Sequence, residues 1–275
     1  MAVANPLRVE LGQRLRAYRE RACLRTQQVE TDPVLRWHVG KVSRVELGQR
    51  VPTIAETHRL AELYGVKGDE LTALVDLASR ARKRARMPHV PDWAQSFVLL
   101  EQAAHEIDYH DAELIPAVLQ APGYARDLLG QSTTEDLDQR VADRLTRGQV
   151  LTGQGAPRVR VVLGEAALHR LPADHRAAAE QLEHLLEAGT WPTVEVRVLP
   201  FSLGLHPMVG VGFTVLRVRD PEVHRVYIDG ATTATYLHEP AEIAVYQTRF
   251  ERLWTMACAP DESATIVSGR IRQLG

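Results

Sequence analysis

Residues 37–50, WHVGKVSRVELGQR, hold the densest set of side chains able to grip a partner molecule. Lys41 and Arg44 offer cationic donors for guanine edges or phosphates, and Ser43 offers a hydroxyl suited to a phosphate oxygen. His38 falls on the same side, and Arg50 follows the segment, where it could meet a backbone phosphate. Val39, Val42 and Val45 recur near helical spacing on the other side, so the segment reads as a short helix over 38–46. The chemistry on offer is hydrogen bonding and charge pairing with DNA. The same pattern also fits a solvated amphipathic helix with no partner. Glu46 is a poor group to aim at phosphates, and Arg14 or Arg16 is its expected ion-pair partner.

Residues able to do covalent chemistry are scarcer. The eleven histidines show no ligand-like spacing, and no GxSxG occurs. Gly-containing LGLHPMVGVGF, residues 203–213, lacks the strand-to-helix setting of a phosphate cradle. No metal, nucleotide or other cofactor is expected. Cys23 and Cys258 lie far apart and read as small core residues. An apolar and aromatic set remains: Trp191, Phe201, Met208, Phe213, Tyr227, Tyr236 and Trp254. Together with Glu165, His206 and Asp229 it could line a small-molecule pocket, and it could equally be plain core.

These residues need elements to position them. Helices are expected over 8–22, 26–31, 38–46, 53–64 and 67–86, the last ending in the basic run RARKRAR. That run reads either as a solvated helix end or as a DNA-backbone contact. Thr53 to Glu56 has capping-box spacing. Pro88 and Pro91 mark a boundary, giving domains at 1–87 and 88–275. Beyond it, helical patterns at 92–104, 122–129, 135–151, 174–188, 239–257 and 261–271 mix with strand-like runs at 158–163, 193–198, 211–218 and 223–228. The expected class is α+β: an all-α five-helix domain, then a mixed domain.

Charge follows the same division. Residues 1–86 hold 17 basic and 10 acidic groups, a net +7, and the remainder holds 16 and 25, a net −9. A basic first third suits a nucleic-acid module. No apolar run approaches membrane-spanning length, and the N-terminus lacks a signal-peptide pattern, so a cytoplasmic location without membrane contact is expected.

KVSRVELGQRVPT resembles the third-helix signature of the lambda-repressor-like, Xre-type helix-turn-helix regulators. LGQRLRAYRERA resembles their first helix and LAELYGV their fourth. The segments ELIPAVLQAPGYARDLL, RVADRLTRGQVL, GEAALHR and VEVRVLPFSLGLHP, followed by FTVLRV and VYIDG, are similar in order to a large bacterial family. It joins that domain to a C-terminal domain of unclear function. The resemblance implies a transcriptional regulator, in some members antitoxin-like and often encoded beside a small acidic partner protein.

One departure bears on function. Asp32-Pro33 falls where the second helix should continue, and the glycine expected at the turn is absent. Interior proline costs about 3 kcal/mol. The second helix is therefore expected to end near Val29 and to restart at Pro33, with Asp32 as its cap. Two readings remain open. In the first, the chain is a double-stranded-DNA-binding regulator acting as a homodimer, its C-terminal domain taking a small-molecule effector or a partner protein. In the second, it has lost DNA binding and binds, or transforms without cofactor, a pathway metabolite.

Overall fold

The computed structural model describes residues 6–48, 50–82, 90–91, 93–132, 135–153, 155–219 and 222–275; of Pro6, Val9 and Arg80 it describes the backbone alone. By packing, the chain divides into a unit of residues 1–99 and a unit of residues 100–275. The first is helical, the second is built on a six-stranded mixed sheet, and the class is α+β. No helix among the described residues is long and apolar enough to cross a membrane.

The first unit holds α1 (Pro6–Arg21), α2 (Thr26–Glu30), α3 (Lys41–Glu46), α4 (Ile54–Leu63) and α5 (Gly68–Arg82). Leu11 and Leu15 of α1, Val29 of α2, Val42 and Val45 of α3, Leu60 of α4 and Leu74 and Leu77 of α5 close one core. These are the i, i+3, i+4 positions of each amphipathic pattern. The expected capping box is present: the Thr53 hydroxyl accepts from the Glu56 amide at 3.1 Å, and Glu56 accepts from the Thr53 amide at 2.7 Å. The basic run lies largely outside the described residues, from position 83 onward. Cys23, expected in the core, is instead exposed in a left-handed conformation just beyond α1, and Cys258 is half-buried.

In the second unit, α6 (Gln95–Ala103) leads in from the first unit, and β1 (Glu106–Asp111) follows it. Then come α7 (Pro122–Gly130), α8 (Leu137–Thr146), β2 (Arg158–Gly164), α9 (His175–Ala188) and β3 (Val194–Leu199). The chain closes with β4 (Phe213–Val218), β5 (Val223–Asp229), β6 (Ala234–Leu237), α10 (Pro240–Met256) and α11 (Pro260–Leu274). The helix expected over 135–151 is α8 followed by a tighter 3-10 turn at Arg147–Leu151. The sheet order is β3-β2-β1-β4-β5-β6. β1, β2 and β3 run parallel; β4 and β5 turn antiparallel, as does β6. Two strands, β1 and β6, were not expected.

β1 is a central strand although it reads EIDYHD. Ile107 and Tyr109 point to one face of the sheet, Asp108 and His110 to the other. All four are buried. Asp108 is 2% exposed and is neutralised by both neighbouring strands: Arg160 of β2 donates to it at 2.7 and 3.0 Å, and Arg217 of β4 at 2.7 Å. On that face α10 seals the core with Ile243, Phe250 and Leu253 against Phe213, Val215 and Val226. On the α9 side, fully buried Gln181 accepts from the Ala121 amide at 2.7 Å and donates to the Leu119 carbonyl at 2.8 Å, fixing the 3-10 turn Ala117–Leu119.

Gly12 sets how closely α1 crosses the end of α3. A Cβ there would stand 2.4 Å from the Glu46 carbonyl oxygen and 2.6 Å from that of Val45. Both obstacles are backbone, so a methyl group must push the helices apart. Gly12→Ala is expected to destabilise the first unit by about 1–3 kcal/mol despite alanine's better helix propensity. Urea denaturation monitored by circular dichroism reads this; an unchanged or raised midpoint would contradict the contact.

Candidate nucleic-acid interface

The geometry of α3 is decided before the helix begins. Gly40 takes a left-handed conformation, φ +83°, and the helix starts at Lys41 rather than at His38. His38 and Val39 therefore belong to the approach, not the helix. Val39, expected to face inward, is 85% exposed, because it is not in phase with Val42 and Val45. The free amides at the start of α3 are met by Glu30 of α2, which accepts from the Gly40 amide at 2.7 Å and the Val42 amide at 3.2 Å.

Lys41 does not point outward. It is 7% exposed, its Nζ lies 2.6 Å from Glu56 Oε1, and the ammonium sits 4.2 Å from the centroid of the Trp37 ring. The same Glu56 oxygen accepts from Trp37 Nε1 at 2.9 Å. The expectation that Lys41 enters a groove is therefore corrected: it fastens α3 to the start of α4. Glu46 holds the other end of α3, and its partner is Arg19 of α1, at 2.6 and 2.9 Å, in place of Arg14 or Arg16. Arg19 also donates to the Leu24 carbonyl at 2.8 Å.

The Asp32-Pro33 segment forms a capped turn, as the residue types suggest. The carboxylate of Asp32 accepts from the Val34 amide at 3.0 Å and the Leu35 amide at 2.9 Å, and Pro33 occupies the first position, where no amide is needed. Arg59 of α4 donates to Asp32 at 3.1 and 2.6 Å. The turn ends at Arg36, which has a left-handed φ of +46°. The proline thus shortens α2 to Glu30 while the turn stays anchored to α4.

Ser43, Arg44 and Arg50 are exposed, as is His38. The Arg44 guanidinium contacts the His38 ring and, through Nε, the Gly40 carbonyl at 3.3 Å. Exposed Gln27 and Gln28 stand on α2. Four of the five expected groups are thus presented to solvent, and one is structural. Glu30, Trp37, Glu56 and Arg59, which hold the presentation, were not singled out as functional. Only the Thr53–Glu56 spacing carried a signal for any of them.

The C-terminal candidates do not gather in one pocket. Phe213 and Met208 are buried in the core against α10. Trp254 stacks on Phe250 at 5.9 Å, with the guanidinium groups of Arg160 and Arg197 over its ring. Tyr227 lies on the opposite sheet face, facing Tyr236 at 5.0 Å, and its hydroxyl donates to Asp229 at 2.9 Å. Phe201 is exposed beside His169, and its amide donates to Glu165 at 2.6 Å. His206 packs edge-on to His110 at 5.9 Å, and burial lowers its pKa. Of the set, Trp191 lines a cleft of about 460 Å³, between α9 and the 3-10 turns, with Glu180, Glu183, His184 and Glu187.

Two carboxylates of the first unit carry a pH signature. Arg59 bonding holds Asp32 down to about 2 against the opposing effect of burial, with help from the Leu35 and Val34 amides. Burial pushes Glu56 up, but bonds from Lys41, the Thr53 amide and Trp37 outweigh it and hold it at about 2. A depressed carboxylate stabilises the fold above its unfolded pKa, and that contribution is lost as pH falls through the folded value. The first unit is expected to keep this contribution from neutrality to about pH 5 and to lose it between about pH 4 and pH 2. Asp32→Asn should flatten that acid limb in denaturation midpoints measured across pH; an unaltered limb would contradict the assignment.

Residues 10–74 match a family described as a helix-turn-helix domain. Residues 94–269 match one described as a domain of unknown function (DUF5753). No curated protein and no solved structure matches the chain. The second match spans more than half of the sequence, and the chain belongs to the DUF5753 family, with a helix-turn-helix domain preceding the family's own domain.

Proposed function

We propose that this protein is a DNA-binding transcriptional regulator of the Xre type that reads double-stranded DNA with the α2–α3 unit. One observation carries the reading: α3 is fixed at both ends, by Glu30 and Glu56 at its start and by Arg19 at its finish, while Ser43 and Arg44 stay exposed. A helix held this rigidly from behind and left polar in front is suited to groove entry. Ser43, Arg44 and His38 are the proposed groove contacts, and Arg50 a backbone contact. One such unit reads a half-site, which favours a homodimer on a two-fold operator. The C-terminal domain, on this reading, takes an effector or a small acidic partner protein. The alternative, a relative that has lost DNA binding, drew its support from Pro33, and the capped Asp32 turn weakens that support.

The test is binding of the purified chain to its own upstream DNA and to random DNA across a salt series. Selective binding is expected. Arg44→Ala should weaken operator binding by about 1–3 kcal/mol if it meets a base, or lower the salt slope by about one if it meets a phosphate, with the melting temperature unchanged. Lys41→Ala should instead lower the melting temperature, because it leaves Glu56 half-buried without its cation. Weak, unselective binding by the wild-type chain would sink the proposal.

A further inference from the structure

One face of the sheet carries Tyr109, Thr214, Tyr227 and Tyr236 in cross-strand register. α8 and the turn after it bring Arg140, Arg144 and Arg147 to this region, four and three residues apart and so on one helical side. Arg147 is satisfied: it donates to Glu101 at 2.8 Å through both Nε and Nη2, and Glu101 also accepts from the Tyr109 hydroxyl at 2.8 Å.

Its two neighbours are not matched by acids. The Nη1 of Arg144 donates to Gln120 Oε1 at 3.0 Å, a neutral group that is itself buried and bonded to the Ile115 carbonyl. The Nε of Arg140 is buried and has no hydrogen-bond partner among the described residues. Burial, reinforced by the positive charge of Arg147, pulls the Arg144 pKa down to about 10.

The acids that pull on Arg144 are engaged elsewhere: Glu101, the stronger of them, is held by Arg147 and the Tyr109 hydroxyl. Asp229, at the end of β5, exerts an electrostatic pull on Arg144, but its Oδ1 accepts from the Tyr227 hydroxyl and the Gly230 amide. Asp111, at the end of β1, accepts from the Glu113 and Leu114 amides, and burial raises its pKa. A half-buried cation with no acid bonded to it is costly to fold around. Guanidinium groups also match the planar fork of a carboxylate and the oxygens of a phosphate.

We propose that Arg140 and Arg144 form a receptor for the anionic group, phosphate or carboxylate, of a small molecule. It lies toward the carboxyl end of β5, where Asp229 exerts its pull on Arg144. The site gives the effector half of the proposed function a location and a ligand class. It rests on that half only, since it is read without DNA.

The test is calorimetric titration of the full chain with inorganic phosphate and, separately, with citrate, at neutral pH and fixed ionic strength in chloride. The wild type is expected to bind at least one anion, and which of the two binds identifies the group. Arg144→Gln and Arg140→Gln should each weaken that binding by about tenfold or more. Arg176→Gln, an exposed arginine on α9, should leave it unchanged. Absence of binding to the wild type would overturn the proposal. So would equal affinity in the Arg140 and Arg144 variants, the result expected if phosphate merely collects on the basic first unit. Should Arg144→Gln fail to fold, Arg140→Gln, on a side chain that is partly exposed, decides.

Discussion

The second unit is built around the carboxylate of Asp108, buried at the centre of the sheet. Among the described strands, its strand alone has a parallel neighbour on one side and an antiparallel neighbour on the other. Arg160 and Arg217 reach it from both. A one-residue slip of either neighbour would carry its arginine to the wrong face and leave a charge in the core. Buried ion pairs add little net stability beside well-packed apolar groups, yet removing one partner is severely destabilising. Their consequence here is register. The first unit uses the same device: Asp32 with Arg59 and Glu46 with Arg19 tie residues 27 positions apart. Arginine is the common partner, in a chain with thirty arginines and three lysines.

That reliance on paired charges explains what could be read from the sequence. The helices of the first unit were legible because Leu11, Leu15, Val42, Val45 and Leu60 keep helical spacing and face one core. The strands β2 to β5 were legible because their apolar residues alternate or run together. β1 was not, because half of its buried residues are Asp108 and His110, whose partners lie on other strands. β6, ATYL, is four residues long and has no buried position to mark it.

The candidate site was legible in composition and only partly in direction. Ser43, Arg44, His38 and Arg50 are exposed, as their types suggest. Lys41 and Val39 exchange the roles that a helix starting at His38 would give them. The cause is the left-handed Gly40, which delays the helix by three residues and turns the lysine inward. The aromatic set in the second unit fails for a related reason. Phe213 precedes Thr214, the register partner of Tyr227, so the two rings fall on opposite faces of one sheet. Proximity along the sequence gave no warning of that. The arginine row on α8 escaped notice because a lone amphipathic helix shows nothing of whether its cations meet acids.

The capped turn at Asp32 has a consequence for how such domains drift over evolutionary time. α3 takes its position from Glu30, Glu56 and Arg19, which lie outside the stretch between Thr31 and Val39, and from Trp37 near the end of it. That stretch closes on itself through the Asp32 cap and is tied down by Arg59. Insertions and deletions ahead of Leu35 and Trp37, which belong to the shared core, can accumulate without reorienting α3. Related domains can then lose that spacing and the turn glycine while keeping the same presenting surface. Pattern searches keyed to that glycine will pass over such lineages, whereas a search keyed to the three anchoring pairs will gather them.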